Sequence, residues 1–338
     1  MKTPMRVSAA AAVLTLALCG CRHKGSESAT STKARPEPPG VPAVQVPFAS
    51  LKPEATWKIG ETADWVAIAP DAVWVAGTKP DFVYRIDPKT NKIVASVPLP
   101  AEACAGLELA FGSVWVPVCT TPTSLLRIDS KSNRVSATLN SGPAGPEGGI
   151  AASSDSIWLV TDIVGTLIRI DPETNTIRQK VQIDAGSFNP VFNEGVVWVS
   201  GNETNTLAAV DATTSKLLED VAVGPKPRFL AAGSGSVWTL NQGDGTISRV
   251  DARTKRLVAT VNAGLPGPGG NICFGGGSLW ATLFGLPLTR IDPETNKVVR
   301  QWKGKGGDSM RFGHNAIWLT DYHAGTLSRI PLEEALKP

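Results

Sequence analysis

Histidine is scarce in this chain of 338 residues: His23, His314 and His323 are the whole supply. Five cysteines are present, and no Cys/His group has the close spacing of a zinc site. No glycine-rich loop stands between a strand pattern and a helix pattern, so a phosphate cradle of that kind is excluded. Charge of one sign is also lacking. The formal net charge is +3, and because Lys2 and Arg6 lie in an apolar leader the remainder carries only +1. A chain that close to neutral projects no global field toward nucleic acid or anionic lipid, which argues against nucleic acid as a partner. Tyrosine is rare as well, two residues against ten tryptophans, and the tryptophans are regularly placed.

The leader has a basic start, Lys2 and Arg6, followed by VSAAAAVLTLAL, an apolar stretch short for a permanent span. It ends in LCGC, which resembles a bacterial lipobox with Cys21 as the acylated residue. The expectation is a lipoprotein signal peptide over 1–20, cleaved before Cys21; an ordinary secretory signal is the alternative. Either places the protein outside the cytoplasm, in the periplasm or at the cell surface, with the lipid anchor as its only contact with a membrane. Residues 21–53 are rich in Ser, Thr, Pro and charge and read as a disordered tether.

From residue 54 to 338 the chain is built on a repeat. Trp74, Trp115, Trp158, Trp198, Trp238, Trp280 and Trp318 recur every 38 to 43 residues, in motifs such as GSVWVPV and NAIWLTD. A second motif follows each one: YRID, LRID, IRID, AAVD, SRVD, TRID and SRIP. A third alternating run comes after that, and an apolar inner strand precedes each tryptophan. Period-2 alternation without helical periodicity makes these strands. Four antiparallel strands in each of seven units predict an all-β, seven-bladed propeller. The seventh unit lacks its fourth strand, and ATWKIGE (55–61) resembles the missing piece. The N-terminal strand is therefore expected to close the ring in the last blade, leaving no open edge and predicting a monomer.

RIDPETN occurs twice, at 169–175 and 290–296. A calcium loop counted from Asp171 or Asp292 requires Gly at position 6 and Glu at position 12, where Thr176 and Gln182, or Lys297 and Lys303, stand instead. Asp, Pro and Asn in that order suit a turn between the third and fourth strands.

Candidate functional residues come from the inner strands and the rim. Seven residues before each tryptophan the chain reads Ala67, Glu108, Ala151, Val191, Ala231, Cys273, Arg311, with two charges among small residues. Glu147, Arg228, Asn271 and Asp308 belong to the upper rim. Asp321 and His323, in TDYHAGT, are either a general base pair or an ordinary polar loop tip. His314 is expected at an exposed hairpin tip, and Cys273 as a small buried residue. Cys104 and Cys119 face each other across the Phe111-Gly112 turn and are expected to form a disulfide. No metal site and no cofactor is expected.

Laid out by blade, stretches such as GSVW and GTISRVDA resemble the YVTN-type and streptogramin lyase-like (virginiamycin B lyase-like) propeller repeats over about residues 55–331. That resemblance implies the propeller fold. The lyase family opens a lactone by elimination, using magnesium with histidines and a glutamate from inner regions of the blades. This sequence departs from that set: Arg228-Phe229 and Gly270-Asn271 occupy the corresponding strand starts, and ATLFG after Trp280 contains no Glu. No catalytic residue carries over. The expected function is a ligand- or protein-binding module that takes a small molecule, peptide or protein at the channel mouth. The alternative is a metal-dependent C–O lyase with a departed active site, for which alone magnesium would be required.

Overall fold

A computed structural model describes residues 38–337. The signal peptide, the acylation expected at Cys21 and the tether up to residue 37 lie outside the described residues. Seven four-stranded antiparallel sheets follow one another around a ring, as the repeat predicts. Blade one runs from Thr62–Ile68 to Lys92–Pro98 and blade five from Pro227–Gly233 to Arg256–Asn262. Blade six runs from Asn271–Gly275 to Lys297–Lys303, and blade seven begins at Met310–Gly313. In each blade the first strand is innermost. Connections between blades and the loops joining second to third strands share the upper face; the tight hairpins share the lower one.

The repeated tryptophan forms the body of each blade. All seven are fully buried on the second strand, so truncating one to Ala is expected to cost roughly 3–5 kcal/mol. Where the indole N–H is tied, it bonds locally: those of Trp115, Trp238, Trp280 and Trp318 donate to the carbonyl five residues upstream. The arginine of the second motif lies over the indole from the third strand, 4.7 Å from the ring centre for Arg249 on Trp238 and 5.0 Å for Arg127 on Trp115. The aspartate of the same motif accepts the backbone N–H two residues on, at 2.7 Å for Asp171 and 2.9 Å for Asp292. Asn175 and Asn296 take the left-handed conformation, φ 56° and 55°. RIDPETN is thus a turn, with its carboxylate held by its own backbone.

Ring closure occurs in blade seven. Ala55–Lys58 pairs antiparallel with Thr326–Pro331, Ala55 opposite Arg329, so the closing strand is shorter than the expected 55–61. Trp57 stacks on Trp318 with ring centres 5.5 Å apart. His314 is not the free tip expected from the sequence. Its Nε2 lies 2.7 Å from the Ala69 carbonyl, to which it donates, tying blade seven to blade one. A short C-terminal helix, Leu332–Leu336, ends the described chain.

The tether expected to reach residue 53 ends sooner. Gln45–Pro47 adds to blade six as a fifth strand, parallel to Lys297–Lys303 and with Gln45 opposite Gln301. Gln301 is fully buried there; its Oε1 accepts the Val41 N–H at 2.7 Å, and its Nε2 donates to Ala263 O and Thr289 Oγ1. Composition predicts disorder for a segment that cannot bury a core of its own, but an outer blade edge supplies unpaired backbone and one buried amide.

Candidate functional site: the channel mouth

The inner strands bring the expected lining together. Each residue seven before its tryptophan is that tryptophan's cross-strand partner: Glu108 opposite Trp115, Cys273 opposite Trp280, Arg311 opposite Trp318. Glu108, Ala151, Val191, Ala231, Cys273 and Arg311 line a cavity of about 300 Å³ in the lower part of the channel. Burial pushes the Glu108 carboxyl up to about 7, against the opposing pull of the Arg311 charge. The Cys273 thiol, buried without a disulfide partner, is pushed up to about 12 for the same reason. Arg311 is held by Asn271, whose Oδ1 accepts from its guanidinium at 3.2 Å, and by its own strand through the Met310 carbonyl.

Above this cavity, three carboxylates act on one another. Asp308 is 6% exposed; its Oδ1 accepts the Gly270 N–H at 3.2 Å, and burial with the nearby Glu147 charge raises it to about 7. Asp64 is raised well above the ordinary range by burial, then by Asp308 and Glu147. Glu147 is raised by burial and pulled back by Arg228, whose own pKa burial lowers. Arg228 lies over the Phe188 ring, 3.8 Å from its centre, and donates to the Pro146 carbonyl at 3.1 Å. Asn189 donates to the Glu147 carbonyl and so holds that connection in place. The mouth therefore gathers carboxylates and two guanidiniums from the inner strands and connections of several blades.

The candidates divide. Glu108, Glu147, Arg228, Asn271, Asp308 and Arg311 belong to the channel and its mouth. Asp321 and His323 line a different pocket farther out, between blades six and seven. The Asp321 carboxylate accepts the Ala324 N–H at 3.0 Å, and the His323 ring lies against Phe284 and Tyr322 at 5.1 and 5.5 Å between centres. That pair is a loop anchor and an aromatic contact, with no bond joining it as acid and base.

Sequence reasoning missed Trp65. It sits at a bulge in the inner strand of blade one, at φ 46°, with its ring 6.4 Å from that of Phe229 across the mouth. Both rings are nearly fully buried and leave a cavity of only about 30 Å³ at that level. The signal was available nine residues before each blade tryptophan: Trp65, Gly106, Gly149, Asn189, Phe229, Asn271, Ser309. Two bulky rings stand in a ring of small and polar residues.

The disulfide forms as expected, Cys104 to Cys119 with Cα atoms 5.6 Å apart. It fastens the connection entering blade two to that blade's second strand.

The mouth does not fit the magnesium site of a lyase. Among the described residues, no three His, Cys, Asp or Glu side chains are grouped so that they could hold a metal ion. His323, on the upper face, is packed against Phe284 in the pocket that Asp321 also lines.

No protein-family model matches this sequence, and no curated protein matches it. Solved structures do match by fold. Virginiamycin B lyase from Staphylococcus aureus is 15% identical with a TM-score of 0.67, covering 82% of this chain and 98% of its own. A streptogramin B lyase is 15% identical with a TM-score of 0.65, covering 81% and 96%. BamB from Moraxella catarrhalis is 12% identical with a TM-score of 0.59, covering 83% and 97%. At these identities the shared property is the propeller fold.

Proposed function

We propose that this protein is a lipid-anchored, extracytoplasmic propeller that binds a ligand or a partner protein at its channel mouth and performs no chemistry. The observation that carries the reading is the mouth itself, where the charges of Glu147, Asp308, Arg228 and Arg311 are gathered, Arg228 over the Phe188 ring, without a metal-ligating set among the described residues. Mixed charge beside buried aromatics suits recognition of a polar group, because partially desolvated charges discriminate strongly between partners. The disulfide is compatible with an oxidising compartment, and no helix among the described residues is long and apolar enough to cross a membrane. The LCGC signature supports acylation at Cys21.

Two arms test the reading. Cys21→Ser should move the protein from the membrane fraction to a soluble extracytoplasmic fraction. A photo-cross-linking residue at Lys226, on the upper face, should capture a partner that the same residue at Lys131, on the lower face, does not. Identical capture patterns at both positions would count against a mouth-directed module.

One observation favours a second reading. Glu108 and Asp308 both lie near pH 7, the range a general base requires. Incubation with a streptogramin B-type lactone, with magnesium and with chelator, followed by chromatographic retention, separates the two. Magnesium-dependent ring opening would replace the binding module with a lyase.

A further inference from the structure

The lower cavity of the channel is closed from above. At the level of Trp65 and Phe229 only about 30 Å³ is open, the share of one water molecule, so nothing larger passes down from the mouth. Below that level about 300 Å³ is free, at the lower end of the range for small-molecule sites. The short side chains of Ala151, Val191 and Ala231 leave this space open, and the half-buried rings of Phe192, Phe274 and Phe312 line its lower end. The first strand of each blade pairs on one side only, so its free edge turns backbone N–H and C=O groups toward the channel.

Two opposite charges enter the cavity from different blades, Glu108 from blade two and Arg311 from blade seven. They do not meet: neither enters an ion pair among the described residues. Arg311 spends only Nη1 on its own protein, donating to Asn271 Oδ1 at 3.2 Å and to the Met310 carbonyl at 2.9 Å. Its Nε–Nη2 edge, whose two parallel N–H groups match a carboxylate, is left to the cavity. Glu108 accepts the Leu109 N–H through Oε1 at 3.2 Å, and its Oε2 has no partner among the described residues. Two further groups feel the Arg311 charge. Asp64, above, is held well over the ordinary carboxylate range by burial and then by Asp308 and Glu147; the buried Cys273 thiol is pushed up to about 12. Both are therefore uncharged near neutrality and do not compensate the guanidinium. Glu108 lies near 7, so an arriving ammonium can hold it ionised at little cost.

We propose that the lower cavity is a second binding site, separate from the channel mouth, for a small zwitterion of the α-amino acid class with an apolar side chain. Its carboxylate lies on the Nε–Nη2 edge of Arg311, and its ammonium meets Glu108 Oε2 and the free carbonyls of the inner strands. Its side chain lies among the three phenyl rings. A zwitterion supplies both missing partners at once, whereas a singly charged ligand leaves one desolvated charge alone.

The probe is L-phenylalanine, titrated by calorimetry on the full chain near neutral pH. Saturable binding at one site is expected. 3-Phenylpropionate, which lacks the ammonium, and 2-phenylethylammonium, which lacks the carboxylate, should each bind about tenfold more weakly or worse, the scale of one hydrogen bond to a charged group. Two variants then separate the contacts. Glu108→Gln should weaken L-phenylalanine by about tenfold and leave 3-phenylpropionate no weaker than on the parent. Arg311→Met should weaken L-phenylalanine by about as much and leave 2-phenylethylammonium no weaker. A residue that only supports the strands would move all three ligands together. Thermal midpoints show whether each variant is folded, and the Glu108→Gln arm decides alone if Arg311→Met does not fold. Absence of saturable binding, equal affinity for the three ligands, or variants that act alike on all of them would overturn the proposal. Weakening by Asp308→Asn as large as by Glu108→Gln would overturn it too, by moving the site up to the mouth. Capture at Lys226 tests the mouth independently, so either site can fail without the other.

Discussion

The Arg127 guanidinium donates to Asn175 Oδ1 at 3.0 Å, across the boundary between blades two and three. The same guanidinium stacks on Trp115 in its own blade and reaches the Pro172 carbonyl of the next. The relationship repeats from Arg329 to Asn91 at 2.8 Å and from Arg249 to Asn296 at 3.1 Å. In blade three, Arg169 reaches Ser215 Oγ instead, because the following turn carries no asparagine at that place. A motif that looks local in the sequence therefore joins neighbouring blades: its arginine serves one boundary and its asparagine the one before.

Arg127→Ala is expected to lower stability by about 2–4 kcal/mol, since it removes a stacked, half-buried cation together with its hydrogen bonds. Asn175→Ala alone should cost about 1 kcal/mol, and the double variant less than the sum. Thermal or denaturant unfolding of the four proteins measures the coupling; simple additivity would mean that the two residues do not act together.

The buried carboxylates of the channel and its mouth make stability fall as pH rises. Glu108 has a raised folded-state pKa, about 7 against 4.5, so between those values the folded chain holds a proton that the unfolded chain has lost. Its contribution is fully present below about pH 4.5 and is lost as pH rises through 7; Asp308, about 7 against 3.8, acts in the same direction. Glu108→Gln should therefore unfold with the parent at pH 4. By pH 8 it should be more stable by on the order of 1–3 kcal/mol. Midpoints measured across that range would show a constant offset if burial of the charged form were unimportant.

Removing the disulfide by Cys104→Ser with Cys119→Ser is expected to lower stability by about 3 kcal/mol, the scale for a closed loop of that length. The bridge spans 15 residues. Reduction of the parent should produce the same loss, and a reductant should have no effect on the variant's midpoint.

Gln301→Ala should release the N-terminal segment without opening the ring. The amide carries the contacts to Val41 and Gln45, whereas closure depends on Ala55–Lys58. Limited proteolysis should cut upstream of Leu51 faster in the variant, leaving a resistant propeller. Cleavage spread through the blades would instead mean that Gln301 supports the whole sheet.

Local pattern was enough to read the blades. A strand with period 2, a turn of Asp, Pro and Asn, and a tryptophan every 38 to 43 residues are each set by nearest neighbours in the chain. Their repetition implies stacking, since one blade cannot bury both of its faces alone. The missing fourth strand of the last unit then calls for a partner from the other end of the chain, and Ala55–Lys58 supplies it.

The site could be read only as a collection of candidates. Glu147 and Asp308 come from connections and Arg228 from an inner strand, each more than 60 residues from the next, and their mutual influence depends on ring radius and on which way each connection turns. Trp65 reaches the mouth because its strand bulges, a backbone feature with no signature in alternation. His323 leaves the mouth because Phe284, on the neighbouring blade, offers its ring a packing surface. Residues 38–53 settle on blade six through strand pairing, apolar packing and a buried glutamine more than 250 positions from Val41 in the chain. Periodicity is a property of adjacent residues and survives in the sequence; convergence of side chains from separate blades is a property of the closed ring, and only the folded structure contains it.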